Sequence, residues 1–290
     1  MTACRTFLFA PGDHARRAEK ALSLGADAAI LDLEDAVALS AKIAARDAVN
    51  QALALPRTAR AYVRVNAFDT PFCYGDIAAV VGAKLDGIVL PKLEDTAQLI
   101  AVDWMMGALE RERGLPVGGI DLIPIIETAR GHAAVRGLAA AGVARMRRMA
   151  FGAADYTLDL GITWTRDEAE LAPVRSEMVL ASRAAGLDAP IDTVWAALRD
   201  AEGFAASCAR GAGLGFQGRM CIHPDQVPVA NAAYSPTEAE IAWSQKVSTA
   251  FADAEAQGLA SIQVEGRFVD YPIVDRARRV LALAARLGSP

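Results

Sequence analysis

Short apolar runs, many rich in β-branched residues, alternate with longer amphipathic stretches eight times before Asn231. The strand-like runs cover residues 6–9, 29–33, 61–65, 87–90, 122–126, 149–151, 190–192 and 219–222. Helical patterns separate them, as at 15–24, 41–55, 96–113 and 169–185. Strands joined through helices run parallel, because a parallel pair needs a long crossover. Eight such units predict an α/β fold, a TIM (β/α)8 barrel, with the Ala/Leu/Val-rich helices as its outer ring.

The pattern changes after Asn231. Ser235-Pro236 reads as a helix start, with Ser235 as N-cap and Pro236 at the first helical position. A short strand-like piece at 261–264, a turn at Glu265-Gly266 and a helix from Pro272 follow. The expected division is a catalytic barrel over 1–231 and a C-terminal helical extension or lid over 232–290.

Composition narrows the function classes. The 290 residues are 53% apolar and 22% charged, which suits a globular chain with a substantial core. The net charge of −5, without a basic block, gives nucleic-acid binding no support. No apolar run approaches the ~20 residues that span a bilayer. The first five residues lead straight into a strand and leave no room for a signal peptide. Cys4, Cys73, Cys208 and Cys221 fit no zinc spacing, so a reduced, cytoplasmic setting is expected. Three histidines make a histidine-rich metal site improbable.

Polar residues recur where the strands end: Asp32, Glu34 and Asp35, then Arg64 and Asn66, then Lys92, Glu127, Asp155 and His223. In a barrel these points share one rim, where this fold keeps its chemistry. Any one of them could be a solvated loop residue or an ion-pair partner; the repetition argues for a site. Glu127 and Asp155 are hard oxygen donors without histidine or thiolate nearby in sequence, a set that suits Mg²⁺. Arg64 can clamp a substrate carboxylate bidentately or pair with Glu34 or Asp35. The turn at Pro11-Gly12 enters a helix carrying Arg16, Arg17 and Lys20, which reads equally as a phosphate site or as an ordinary exposed face. Phe72, Tyr74 and Trp164 are open to either pocket or packing roles.

Taken together, these residues resemble the HpcH/HpaI aldolase/citrate lyase superfamily, in its citrate lyase β-subunit-like branch. The likeness runs through 9–13, 31–37 (Leu-Asp-Leu-Glu-Asp-Ala-Val), 63–66 (Val-Arg-Val-Asn) and 89–92 (Val-Leu-Pro-Lys). It continues at 126–128 (Ile-Glu-Thr), 151–161, 218–224 and 266–270. It implies a barrel with a C-terminal lid, assembled as a trimer or a dimer of trimers. It also implies Mg²⁺-dependent cleavage or formation of a C–C bond in a β-hydroxyacyl-CoA.

On the matching positions the resemblance implies these roles: Glu127 and Asp155 hold the metal. Arg64, with Glu127, Ala154 and Asp155, binds substrate, and the 153–155 backbone donates to its carboxylate. Asp270 is the lid acid/base offered to a neighbouring subunit, with Arg64, Glu34 and Asp35 as further catalytic candidates. Pro11, Gly12, Arg16 and Lys20 lie near the CoA. Many relatives carry an acidic residue where this chain has Ala154, so any role of that carboxylate is absent here. Citramalyl-CoA and malyl-CoA, cleaved to acetyl-CoA and a 2-keto acid, are the substrates the resemblance favours. A citryl thioester on an acyl-carrier protein, or a free 2-keto acid as in metal-dependent aldolases, are the alternatives.

Overall fold

The computed structural model describes residues 4–288. Residues 1–3, part of the N-terminal segment weighed above, lie outside it. The described chain forms two compact units, Cys4–Asn231 and a second from Ala232 onward.

The first unit is a closed eight-stranded barrel in sequential order, every neighbouring pair parallel. Its strands are β1 (Thr6–Pro11), β2 (Ala28–Asp32), β3 (Arg60–Arg64), β4 (Gly87–Leu90), β5 (Asp121–Ile126), β6 (Ala150–Phe151), β7 (Ile191–Asp192) and β8 (Gly218–Cys221). The intervening helices are α1 (Ala15–Ser23), α2 (Lys42–Leu53), α3 (Cys73–Val80), α4 (Thr96–Glu112), α5 (Ala129–Ala139), α6 (Ala153–Leu160), α7 (Ala172–Ala184) and α8 (Ala201–Leu214), with α9 (Gln226–Ala233) after β8.

Phe7, Ile30, Tyr62, Val89, Ile123, Ile125, Ile191 and Met220 belong to one buried cluster built from the strands. Bulky branched side chains fill a small barrel, so it is a packed core and not a channel. The strand ends therefore form a rigid platform. Register sets its chemistry: Asp32 on β2 pairs directly with Arg64 on β3.

The second unit contains α10 (Glu238–Glu255), an antiparallel hairpin of β9 (Ser261–Val264) and β10 (Arg267–Asp270), and α11 (Tyr271–Arg286). Val247, Phe251, Val264, Val269, Val274 and Ala277 form its own core. One local expectation needs correction. Helix α10 is capped by Thr237, not Ser235, because Thr237 and Glu240 form a reciprocal capping box. The turn expected at Glu265-Gly266 is present: both residues have positive φ and join β9 to β10 in a two-residue hairpin.

Candidate active site

At the C-terminal ends of the strands lies a cavity of about 370 Å³. Phe9, Asp32, Asp35, Arg64, Glu127, Ala154, Asp155 and Thr193 are among its lining residues. The barrel thus brings Glu127 and Asp155 to one space, as their positions at strand ends predict.

Glu127 is buried immediately after β5. The Lys92 backbone N–H donates to its Oε1 at 2.8 Å. Lys92 has φ of 50°, a left-handed conformation that a non-glycine residue adopts only when its surroundings impose it. Gly152 faces the same carboxylate: a Cβ there would collide with Glu127 Oε2 and Cβ. Asp155 lies in the first turn of α6.

Arg64 is the centre of the positive charge. Its Nε and Nη2 donate to Asp32 at 2.7 and 2.6 Å, and its Nη1 lies 2.9 Å from Glu34 Oε2. The guanidinium packs over the Phe9 ring, 4.9 Å from its centroid. Asp32 also accepts the N–H groups of Glu34 and Ala36, which closes the loop after β2. The main partner of Arg64 is thus Asp32. Glu34 is a secondary partner, and the exposed Asp35 stands 3.8 Å away.

Lys92 Nζ binds Glu34 at 2.6 Å and lies 3.8 Å from Asp155 and 3.9 Å from Asp35. Five carboxylates (Asp32, Glu34, Asp35, Glu127 and Asp155) thus share two cations, Arg64 and Lys92. Burial, then repulsion from Glu34 and Asp155, pushes the Glu127 carboxyl up to about 8, against the pull of Arg64. Burial likewise raises Glu34. Burial works against the Lys92 ammonium, but the bond to Glu34 and the surrounding carboxylates hold it above its ordinary range.

That excess of negative charge is what a divalent cation would relieve, so the donor set fits a Mg²⁺ site. Among the described residues no three His, Cys, Asp or Glu side chains form a ready metal cluster. Two carboxylates leave the other positions to water and substrate, the usual arrangement for Mg²⁺.

A second cavity, about 460 Å³, shares Phe9 and Ile222 with the first. Pro11, Arg17, Lys20 and His223 line part of it. Of the residues expected near a CoA, Pro11 and Lys20 face this space. Gly12 lies behind it, its N–H bonded to Asp32 O and its missing side chain leaving room for that strand. Arg16 is exposed outside the lining, which includes its neighbour Arg17. Asp270 belongs to the C-terminal unit, where its side chain caps α11 through the Ile273 N–H.

Two site residues escaped the sequence reading. Asp32 was visible only as a strand-end acid, and its pairing needed the β2–β3 register. Thr193 follows a strand of two residues, which carries almost no pattern; its hydroxyl accepts the Ala153 N–H at 2.8 Å.

The model of the HpcH/HpaI aldolase/citrate lyase family matches residues 5–224. The chain belongs to that family. It is thereby an enzyme of a carbon–carbon lyase family. Among curated relatives, citrate lyase subunit beta of Leuconostoc mesenteroides subsp. cremoris is 39% identical over 97% of this chain and 93% of its own. A (3S)-malyl-CoA thioesterase of Cereibacter sphaeroides strain KD131 is 36% identical over 98% of this chain and 96% of its own. Among solved structures, the CitE protein of Mycobacterium tuberculosis, in complex with magnesium, acetoacetate and coenzyme A, superposes with a TM-score of 0.78. It is 32% identical and covers 99% of both chains.

Among the described residues no helix is long and apolar enough to cross a membrane.

Proposed function

We propose that this family member is a Mg²⁺-dependent lyase. It would cleave a β-hydroxyacyl-CoA such as (S)-citramalyl-CoA or malyl-CoA to acetyl-CoA and a 2-keto acid, or run the reverse condensation. The observation that carries this reading is the convergence of Glu127 and Asp155 on a cavity that shares Phe9 and Ile222 with a second one lined by Arg17 and Lys20. The first holds the reacting groups, and the second is large enough for part of a CoA thioester. The malyl-CoA of the Cereibacter relative and the coenzyme A of the Mycobacterium structure point the same way.

Glu127 and Asp155 would hold the cation. Bound there, Mg²⁺ supplies Lewis-acid stabilisation of negative charge on the substrate's hydroxyl and carboxylate oxygens. Arg64 adds a fixed positive charge, and the Ala154 and Asp155 N–H groups at the start of α6 face the carboxylate. In cleavage a base takes the hydroxyl proton, the freed electron pair forms the keto-acid carbonyl, and the C–C bond breaks with its own pair left on acetyl-CoA as an enolate. The fixed dipoles around the cavity lower the energy of that charge. Asp270 of a neighbouring copy would then protonate the enolate carbon, or take that proton in condensation.

A citrate lyase β-type reaction on a citryl thioester of a carrier protein is the second reading, favoured by the Leuconostoc relative. Purified protein, Mg²⁺ and a panel of CoA thioesters decide between them. Release of glyoxylate or pyruvate from free CoA thioesters supports the lyase reading. Activity only on a carrier-bound citryl group supports the second. Release of free CoA with an intact hydroxy acid, as thioester hydrolysis gives, overturns both.

A further inference from the structure

Thr193 is fully buried and borders the first cavity. It is fixed from behind. Its N–H donates to Asp192 Oδ1 at 2.9 Å, and Asp192 is gripped by Arg175 at 3.0 Å and Arg219 at 3.2 Å. Its Oγ1 accepts the Ala153 N–H, the first of α6.

A hydroxyl has one hydrogen to donate besides its acceptor lone pairs. With Ala153 on the acceptor side, that hydrogen must point elsewhere. Among the described residues it makes no hydrogen bond to a protein acceptor. The N–H groups of Ala154 and Asp155 are in the same condition, since the next N–H of the helix, on Tyr156, is the first to find a backbone carbonyl. Three donors without protein acceptors therefore stand together at one wall. Of the three, the Thr193 hydroxyl is fully buried, and a buried donor left unmatched is costly, so its free hydrogen implies an acceptor that arrives with the ligand. Arg64, by contrast, already directs two of its five N–H groups at Asp32 and stands in ion-pair contact with Glu34.

We propose that Thr193 is a substrate-binding residue whose hydroxyl donates to the carboxylate of the 2-keto acid half, beside the Ala154 and Asp155 N–H groups. The inference rests on the lyase reading. It assigns recognition of the keto-acid carboxylate chiefly to this wall and leaves Arg64 as a charge held in a structural pair.

The test uses the full chain with Mg²⁺, and pyruvate and acetyl-CoA as probes in separate calorimetric titrations. Thr193→Val keeps the side chain's shape and removes the hydroxyl. It should weaken pyruvate binding about 10- to 100-fold, the effect of losing a hydrogen bond to a charged group. Acetyl-CoA and Mg²⁺ affinities should stay within about twofold, and Thr193→Ser should restore pyruvate binding. Thr193→Ala should show the same signature if the valine variant does not fold. Unchanged pyruvate affinity overturns the proposal. So does a parallel loss of Mg²⁺ affinity, because Thr193 would then act through α6 and Asp155. If the wild-type protein binds neither pyruvate nor acetyl-CoA, the lyase reading falls and the proposal falls with it.

Discussion

Lys92 holds Glu127 with its backbone and Glu34 with its side chain, so one residue in a left-handed conformation ties two buried carboxylates to one rim. Glu127→Gln preserves the shape and leaves an oxygen for the Lys92 N–H, but removes the charge. Losing even an outer partner of a metal ligand costs ~10- to 100-fold in metal affinity. At least that loss in Mg²⁺ affinity is expected here, with activity falling in step. A Mg²⁺ titration of wild type and variant checks it, and an unchanged Mg²⁺ dependence would remove Glu127 from the metal site.

The bidentate Arg64–Asp32 pair is nearly sealed from solvent and follows from their direct pairing across β2 and β3. Arg64→Ala would strand a buried Asp32, and breaking such a pair by removing one partner costs about 3–5 kcal/mol. Urea unfolding should show that loss along with lost turnover. Arg64→Lys should recover only part of either, since an ammonium reproduces neither the fork nor the stacking on Phe9.

Gly152 is required by steric demand, not by its backbone angles, which any residue could adopt. A methyl there displaces Glu127 at its Cβ as well as at Oε2. Gly152→Ala should therefore reduce kcat by at least tenfold while barely changing affinity for acetyl-CoA, which is expected in the neighbouring cavity. Steady-state kinetics in the condensation direction separate the two.

The barrel was legible because its signal is repeated eight times and each repeat buries apolar residues facing one core. Glu127, Asp155 and Arg64 were legible because a charge at the end of an apolar run stands out. What escaped depends on relations between elements. Asp32 found Arg64 through strand register, and Arg17 rather than Arg16 faces the second cavity because one step along a helix turns a side chain by ~100°. The Thr237 cap was hidden by the preceding Ser235-Pro236, which offers the same kind of signal two residues early.

Glu168 anchors a charge network behind the site from a left-handed backbone with φ of 56°. It accepts from Arg175, Ser207 and Arg210. Burial alone would raise its carboxyl, but the Arg175 bonds and the Ser207 hydroxyl outweigh it and hold it at about 2, against an ordinary 4.5. A depressed value stabilises the fold fully above about pH 4.5 and loses that contribution as the pH falls toward 2. Glu168→Gln should lower stability by up to ~3 kcal/mol at neutral pH, and the gap should shrink to less than half by about pH 3. Paired urea titrations at the two pH values check it; a pH-independent gap would locate the loss in packing.

Asp270 has a structural duty that a simple truncation would confuse with chemistry. Its carboxylate caps α11 through the Ile273 N–H, and removing an N-cap costs ~1 kcal/mol by itself. Asparagine caps about as well as aspartate but exchanges no proton at neutral pH. Asp270→Asn should therefore keep the thermal stability of the wild type and still lose turnover by about 100-fold or more, the range of general acid–base catalysis. Asp270→Ala should lose both. Mixing Asp270→Asn protein with an Arg64→Ala variant tests whether the acid reaches a neighbouring copy's site: co-folded hybrids regain activity only if one copy supplies Asp270 and another supplies Arg64. Full turnover in Asp270→Asn protein alone would confine the residue to its role as a helix cap.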